Sequence, residues 1–166
     1  MIRIRQILVP TDFSPTSDAA LDYAREVAER FGATLQLLHV LQDPFVSGPL
    51  VAESSLTETP GVRTTILEDA KARLTARLTA RDRDRFGAQG EVVFGRGADT
   101  IIDYAADRGA DLIVMGTHGR TGVAHLLLGS VAERVVRTAH WPVLTVRAER
   151  PVEMIGVPVL SALEAS

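Results

Sequence analysis

The chain has 166 residues, of which 46% are hydrophobic and 23% charged, and its formal net charge is −3. This composition predicts one globular domain with a buried core and excludes a disordered or fibrous chain. The weakly acidic balance argues against DNA or RNA as the main partner. No apolar run is long enough to span a bilayer and Met1 to Arg5 lack a signal-peptide pattern, so we expect a cytoplasmic protein without a membrane partner. The absence of cysteine excludes disulfides and thiolate metal sites.

The beginning of the chain predicts a β-α-β unit, and hence a parallel sheet. Two apolar runs, Ile4 to Val9 and Thr34 to Val40, are typical of strands. Between them, Ser14 is a natural N-cap with Pro15 at the first helical position, and Gly32 is well placed to end the helix. The residues expected on the buried face of this helix are Leu21, Ala24, Ala28 and Phe31.

The middle of the chain combines a long connection with further regular elements. Leu41 to Gly61 contains proline, glycine and polar clusters without periodicity, so both a partial lid and a disordered excursion remain open. Val62 to Phe86 predicts one helix, and its arginines alternate with acidic residues, which favours a solvated face over a nucleic-acid patch. A strand over Glu91 to Phe94 and a helix over Asp99 to Arg108 follow.

The segment after Asp111–Met115 carries the strongest functional signal. Asp111–Met115 is a short apolar run typical of a strand buried on both faces. Gly116 and Gly119 follow it directly, and Gly129 and Ser130 stand at the start of the next predicted helix. Glycine lets a backbone approach a phosphate closely, and a helix N-terminus offers unpaired N–H groups. Glycines at both ends of one loop therefore predict a site for successive phosphates of a nucleotide.

The same residues have structural interpretations that stay open at this point. Gly116 and Gly119 are also compatible with a simple tight turn. Ser130 and Glu133 have the S-x-x-E spacing of a capping box, which would occupy the serine without any ligand.

The spacing of the glycines, with two residues and then nine residues between them and Ser130 at the end, resembles the ATP-binding branch of the universal stress protein family. The resemblance covers residues 3 to 147, and Trp141–Val146 fits the last strand of that family. We therefore expect one domain over residues 1–147 and a C-terminal tail over 148–166. The alternating elements predict an α/β fold with a doubly wound, Rossmann-like parallel sheet of five strands in the order 3-2-1-4-5 and four helices on its two faces.

The resemblance also implies which residues surround the nucleotide. In the family, the aspartate matching Asp12 contacts the nucleoside, and the residue matching Val40 meets adenine through its backbone. A carboxylate at this edge of the sheet would repel phosphates, which agrees with a nucleoside contact, although Asp12 is also typical of a turn or helix cap. Arg120 is placed to offset phosphate charge. The predicted nucleotide-binding residues are Pro10, Thr11, Asp12, Val40, Met115, Gly116, Gly119, Arg120, Gly129, Ser130 and Val131.

These residues predict a regulatory protein of the stress response that binds ATP, with Mg²⁺ bridging the phosphates. The alternative is a slow ATPase or a phosphoryl- or nucleotidyl-transferring enzyme. No residue stands out as a general base for a fast hydrolase, no lysine accompanies the glycines as in a P-loop, and we predict no catalytic residue and no metal ligand from the protein. His39, within the second strand, is expected to be structural.

The last predicted strand suggests how the protein assembles. Val143–Val146 is rich in β-formers, carries no charge and ends the predicted sheet. An unpaired strand at the edge of a sheet invites pairing with another chain, so we expect a homodimer through Val143–Val146. The apolar tail from Pro151 would then cover either the partner or its own subunit.

Overall fold

The structure, a computed structural model, describes residues 2–42, 61–117 and 128–147. Within them, five strands and five helices follow one another along the chain. They are β1 (Gln6–Pro10), α1 (Pro15–Phe31), β2 (Thr34–Leu41), α2 (Val62–Arg77), α3 (Ala80–Phe86), β3 (Gln89–Phe94), α4 (Gly97–Arg108), β4 (Leu112–Gly116), α5 (Ser130–Thr138) and β5 (Val143–Val146).

All strand pairs are parallel, and the sheet has the order β3-β2-β1-β4-β5. This confirms the predicted α/β fold and strand order. Ile7 and Leu37 pack on one face of the sheet against α1 and α2, whereas Leu8, Leu38 and Ile113 pack on the other face against α4 and α5. Since β1 and β4 are covered on both faces, nearly every residue in them is apolar.

Helix α1 begins and ends where its sequence predicts. Ser14 caps it through a hydrogen bond from the Ser17 amide, and Gly32 ends it in the left-handed conformation with φ 65°. The predicted buried face is confirmed except at Phe31, which is 49% exposed.

The expectation of one helix over Val62–Phe86 is wrong. The helix stops at Arg77, Leu78 adopts an extended conformation, and a second helix starts after Thr79. The Thr79 hydroxyl accepts from the Asp82 amide while the Asp82 carboxylate accepts from the Thr79 amide, which is a capping box. This local arrangement separates α2 from α3 and makes five described helices instead of four.

Arginines of α2 and α3 join these helices to α1, which differs from the solvated face we expected. Arg77 Nε donates to Asp18 at 2.7 Å, and Arg85 pairs with Glu29. On the α1 side, Arg25 donates to the carboxylate of Asp82 with N–O distances of 2.7 and 2.9 Å. The region is therefore held together by ion pairs between helices.

Some predictions fall on residues 43–60, 118–127 and 148–166, which lie outside the described residues. They include Gly119, Arg120, the C-terminal tail and most of Leu41–Gly61, for which a lid and a disordered excursion were both expected as alternatives. None of the helices that the structure describes is long and apolar enough to cross a membrane.

Candidate functional site

A cavity of about 450 Å³ opens at the carboxyl ends of β1, β2 and β4. It lies where the strand order reverses between β1 and β4, which is the usual position of a ligand in an open parallel sheet. Its volume falls within the range of small-molecule sites, which is roughly 300 to 1,000 Å³. The cavity is lined by the nine predicted site residues that the structure describes, namely Pro10, Thr11, Asp12, Val40, Met115, Gly116, Gly129, Ser130 and Val131.

A second hollow of about 600 Å³ lies at the opposite edge of the sheet, between the amino ends of β1, β4 and β5. Its one acidic side chain, Asp111, already accepts hydrogen bonds from the amides of Arg5 and Gln6 at 2.7 and 3.1 Å. Because this hollow is far from the reversal of strand order, we place the functional site in the first cavity.

The turn Thr11–Ser14 forms one wall of the cavity and is held by its own side chains. The Thr11 hydroxyl oxygen accepts from the Phe13 amide at 3.0 Å and lies 3.0 Å from the Ser17 hydroxyl. Ser17 donates its single hydroxyl hydrogen to the Ser14 carbonyl at 2.8 Å, so Thr11 is the donor to Ser17. The Thr11 hydroxyl is thus committed to the turn, and a ligand would meet this residue through its other atoms.

Asp12 has the turn contact that its sequence predicts, and it also lies in the cavity wall. Its Oδ1 accepts from the Ser14 amide at 3.1 Å, as in an Asx turn, and the residue also lines the cavity. An ionised carboxylate accepts several hydrogen bonds, so this turn contact leaves capacity for hydroxyl donors of a ligand.

Gly116 is required by packing rather than by turn geometry. A Cβ atom at this position would lie 2.9 Å from Thr16 Cγ2, 3.0 Å from the Thr16 carbonyl carbon and 3.1 Å from its oxygen. Two of these atoms belong to the backbone of α1 and have no rotamer through which to move away. Gly116 therefore allows the first turn of α1 to approach the end of β4, a role that the sequence alone did not indicate.

Thr117 and Gly129, which lie on the two sides of the undescribed residues 118–127, are joined at the cavity. The Gly129 amide donates to the Thr117 carbonyl at 2.7 Å, and the Thr117 amide donates to Val146 of β5 at 2.8 Å. Thr117 is only 3% exposed. The two glycines that border this segment, Gly116 and Gly129, are consequently neighbours of one cavity although twelve residues lie between them.

Helix α5 points its N-terminus into the cavity. Gly129 occupies the N-cap position with φ −71° and ψ 154°, and Ser130 is the first helical residue. The capping-box interpretation of Ser130 is therefore wrong, because the N-cap is one residue earlier. The first intrahelical bond runs from the Glu133 amide to the Gly129 carbonyl at 2.8 Å. The preceding amides, those of Ser130, Val131 and Ala132, have no acceptor within the helix and belong to cavity-lining residues.

The structure adds lining residues that the sequence analysis missed. Gly97, the first residue of α4, lines the cavity with φ 41°, and its Cβ would lie 3.4 Å from Val131 Cγ2. The N-termini of α4 and α5 thus approach each other. His39 also reaches the cavity, and one of its ring nitrogens lies 2.7 Å from the Thr11 carbonyl. His39 therefore has the structural contact that we expected and also forms part of the cavity wall.

An open parallel sheet of order 3-2-1-4-5, with helices on both faces and a cavity at the reversal of strand order, defines a doubly wound, Rossmann-like α/β protein. Within this class, the model of the universal stress protein family matches residues 3–147. The chain belongs to the universal stress protein family.

Relatives and solved structures agree with this assignment. Universal stress protein MJ0531 of Methanocaldococcus jannaschii is 35% identical over 144 residues, which cover 86% of this chain and 82% of the relative. The solved structure of MJ0577 from the same organism has a TM-score of 0.75 at 29% identity and covers 90% of this chain and 99% of its own. A universal stress protein solved in complex with cAMP has a TM-score of 0.57 at 26% identity, covering 89% of this chain and all of that one.

Proposed function

We propose that this protein is an ATP-binding regulator of a stress response, which holds one nucleotide in the cavity at the carboxyl ends of β1, β2 and β4. The observation that carries the proposal is the N-terminus of α5, whose first amides belong to residues that line this cavity. Such amides and the positive end of the helix dipole bind phosphate groups. The family member solved in complex with cAMP supports an adenine nucleotide as the ligand.

The phosphates would lie at the α5 side of the cavity. Gly129 and Ser130 contribute backbone there, and the Ser130 hydroxyl has no part in the helix cap. Thr117 and Gly129, between which Gly119 and Arg120 stand in the sequence, are hydrogen-bonded to each other at the same wall. In this arrangement the chain binds phosphate mainly with backbone amides, and Arg120 adds a positive charge.

The nucleoside would lie at the β1 and β2 side. Asp12 faces this part of the cavity and would accept from ribose hydroxyls, whereas its charge would be unfavourable beside phosphates. Val40, Met115 and Ile101 provide apolar surface for a base, and the backbone of Val40 at the end of β2 is available to recognise its edge. With the carboxylate of Asp12 and the N-terminus of α5 both in the cavity wall, the proposed nucleotide would place its ribose near Asp12 and its phosphates near α5.

Mg²⁺ fits this proposal as a companion of the phosphates. Among the described residues, no group of three or more His, Asp or Glu side chains is arranged to hold a metal ion. Mg²⁺ often keeps several water ligands and binds through substrate phosphates, so the ion would take its ligands from ATP and water.

The decisive experiment identifies and titrates the nucleotide. Purified protein is denatured and the released small molecules are identified by mass spectrometry, and nucleotide-free protein is then titrated with ATP, ADP, AMP and cAMP by calorimetry. We expect a released adenine nucleotide and the highest affinity for ATP with Mg²⁺. Absence of binding by the folded protein would overturn the proposal, and phosphate release measured alongside separates binding from hydrolysis.

We also propose a homodimer through β5, which lies at one edge of the sheet. The carbonyls of Pro142 and Val146 accept from the Ile113 and Thr117 amides on the β4 side. Because backbone groups alternate along a strand, the amides of Val143 and Thr145 point away from β4, toward the open edge. Two copies paired antiparallel across a two-fold axis would satisfy both edges.

A further inference from the structure

Phe13 has an unusual backbone conformation beside the cavity. Among the described residues it is the only non-glycine residue with a positive φ, at 67°. For a bulky L-residue this conformation is an outlier that persists only when the surroundings hold it. Phe13 lies between Asp12, which lines the cavity, and Ser14, which caps α1. Whatever holds Phe13 therefore also holds one wall of the cavity.

From the sheet, His39 of β2 supports the ring. The two ring centroids are 4.1 Å apart with an angle of 30° between the planes, which is a stacked arrangement. His39 Nδ1 lies 2.7 Å from the Thr11 carbonyl oxygen. Because a carbonyl only accepts, Nδ1 carries the hydrogen. His39 and Phe13 are 7% and 8% exposed, so this contact is shielded from water.

From the other side, two arginines of α2 reach the same residue. The guanidinium carbons of Arg73 and Arg77 lie 4.3 and 4.6 Å from the centroid of the Phe13 ring, within cation–π distance. Arg77 Nη2 also donates to the Phe13 carbonyl at 3.2 Å, and its Nε donates to Asp18 of α1 at 2.7 Å. Arg77 thus holds the ring and backbone of Phe13 and is itself fixed by α1.

We infer that Arg77 is a positioning residue for the nucleotide, acting through Phe13. No residue of α2 is among the described residues that line the cavity, so Arg77 acts without touching the ligand. By holding Phe13 at positive φ, it fixes the direction in which Asp12 enters the cavity. This inference rests on the proposed nucleotide binding. Ligand binding and the contact between α2 and the turn are then coupled in both directions. A ligand that needs Asp12 in place stabilises this contact, and loss of the contact lowers the affinity for the ligand.

The test compares Arg77→Ala and Arg77→Lys with Arg85→Ala. Arg85 is the matched control, since it joins α3 to α1 through Glu29 and has no described contact with the turn. We expect Arg77→Ala to lower the affinity for ATP on the order of tenfold and Arg77→Lys to lower it less. Arg85→Ala should leave this affinity within about twofold of the wild type. All titrations are done well below each variant's Tm. Equal affinities for the two alanine variants would show that Arg77 only stabilises the fold and would overturn the inference.

A double-mutant cycle tests whether Phe13 carries the effect. Glycine adopts positive φ without strain, so in the Phe13→Gly background there is no ring to hold and no outlier to maintain. Arg77→Ala should then lower the affinity for ATP only on the order of two- to threefold, because the one contact it still removes is the hydrogen bond to the carbonyl of residue 13. An undiminished tenfold effect in this background would contradict a role through Phe13.

Amide hydrogen exchange separates failure of this inference from failure of the proposed function. The Phe13 amide is bonded to Thr11 Oγ1 and the Ser14 amide to Asp12 Oδ1, so both report on the turn without any ligand. Arg77→Ala should accelerate exchange at these two amides more than in α5, whereas Arg85→Ala should not. Unchanged exchange would overturn the inference even if ATP binds. Faster exchange without any nucleotide binding would show that Arg77 holds the turn and that the proposed function is what fails.

Discussion

Gly116 is the position where packing makes the sharpest quantitative prediction. Forcing an extra carbon into a packed interior typically costs about 1 to 3 kcal/mol. The upper part of this range applies, because the new Cβ would meet the α1 backbone at 3.0 and 3.1 Å. Its φ is not positive, so alanine recovers about 0.4 to 1 kcal/mol by restricting the unfolded chain. The net destabilisation expected for Gly116→Ala is therefore about 2 kcal/mol.

For a chain of this size, that loss lowers Tm by about 4 to 8 °C, which differential scanning calorimetry resolves. Although Gly116 lines the cavity, the new atom would point at Thr16 rather than into it, so ATP affinity measured well below Tm should change by less than about threefold.

Gly129→Val is the opposite case and serves as the matched comparison. With φ −71° and ψ 154°, Gly129 already has a conformation that valine favours, so the backbone adds no strain and the weaker N-cap contributes about 1 kcal/mol or less. The side chain would occupy space beside the α5 amides and should abolish ATP binding. A Gly116→Ala variant with unchanged Tm and no ATP binding would refute the reasoning, because Gly116 would then face the ligand and not α1.

Three further substitutions test separate parts of the site and assembly. Ser130→Ala should change stability by less than about 0.5 kcal/mol, since the hydroxyl is not the cap, and calorimetric titration should show a larger loss for ATP than for AMP. Asp12→Ala should weaken ATP, ADP and AMP by similar factors in the same titration, and an effect on ATP alone would mean that the nucleotide is oriented the other way. Thr145→Pro removes an amide that points toward the open edge and leaves the hydrogen bonds to β4 in place. Light scattering should therefore show a dimer for the wild type and mostly monomer for the variant. A monomeric wild type would contradict the proposed dimer.

The fold was predictable because its signals are local and repeated. The apolar runs of β1 and β4, the cap at Ser14 and the glycine at position 32 each specify one element, and their alternation leaves few topologies. The missed break at Leu78–Thr79 was also local. The Thr79-x-x-Asp82 spacing is a capping signal, but Leu67, Ala70, Leu74 and Leu78 continue at helical spacing up to it and concealed the boundary.

The candidate site was predictable only in part. The glycine spacing and the positions of strand ends indicate residues that border one cavity, because the carboxyl ends of parallel strands share one edge of the sheet. The roles of Gly116, Gly97 and Arg77 depend on contacts with residues far away in sequence. Arg77 meets Phe13 across 64 positions, and no short pattern specifies such a pair. Whether Gly119 and Arg120 contact the phosphates stays a prediction.

The pH dependence of the free energy of unfolding tests whether the pair between Asp82 and Arg25 holds α3 on α1. The Asp82 side chain is 3% exposed and accepts from Arg25 and from the Thr79 amide. Burial alone would raise the pKa of this carboxyl, but the hydrogen bonds from Arg25 and Thr79 outweigh it and hold the pKa below its ordinary value of 3.8. A carboxyl with a depressed pKa stabilises the folded state above the unfolded pKa, and this contribution is lost as pH falls through the folded value.

Asp82→Asn keeps the size of the side chain but removes the charge that faces Arg25. Breaking a buried pair costs about 3 to 5 kcal/mol, but Arg25 is partly exposed and keeps Asp22 as a partner, so we expect a loss of about 2 kcal/mol at pH 7. Urea unfolding is measured at pH 7 and then at a series of pH values falling well below 3.8, and the difference between variant and wild type should shrink along this series. Asp84→Asn, an exposed change on the same helix, should stay within about 0.5 kcal/mol of wild type at pH 7. Equal losses for the two variants at pH 7 would mean that the Arg25 pair does not hold α3 on α1.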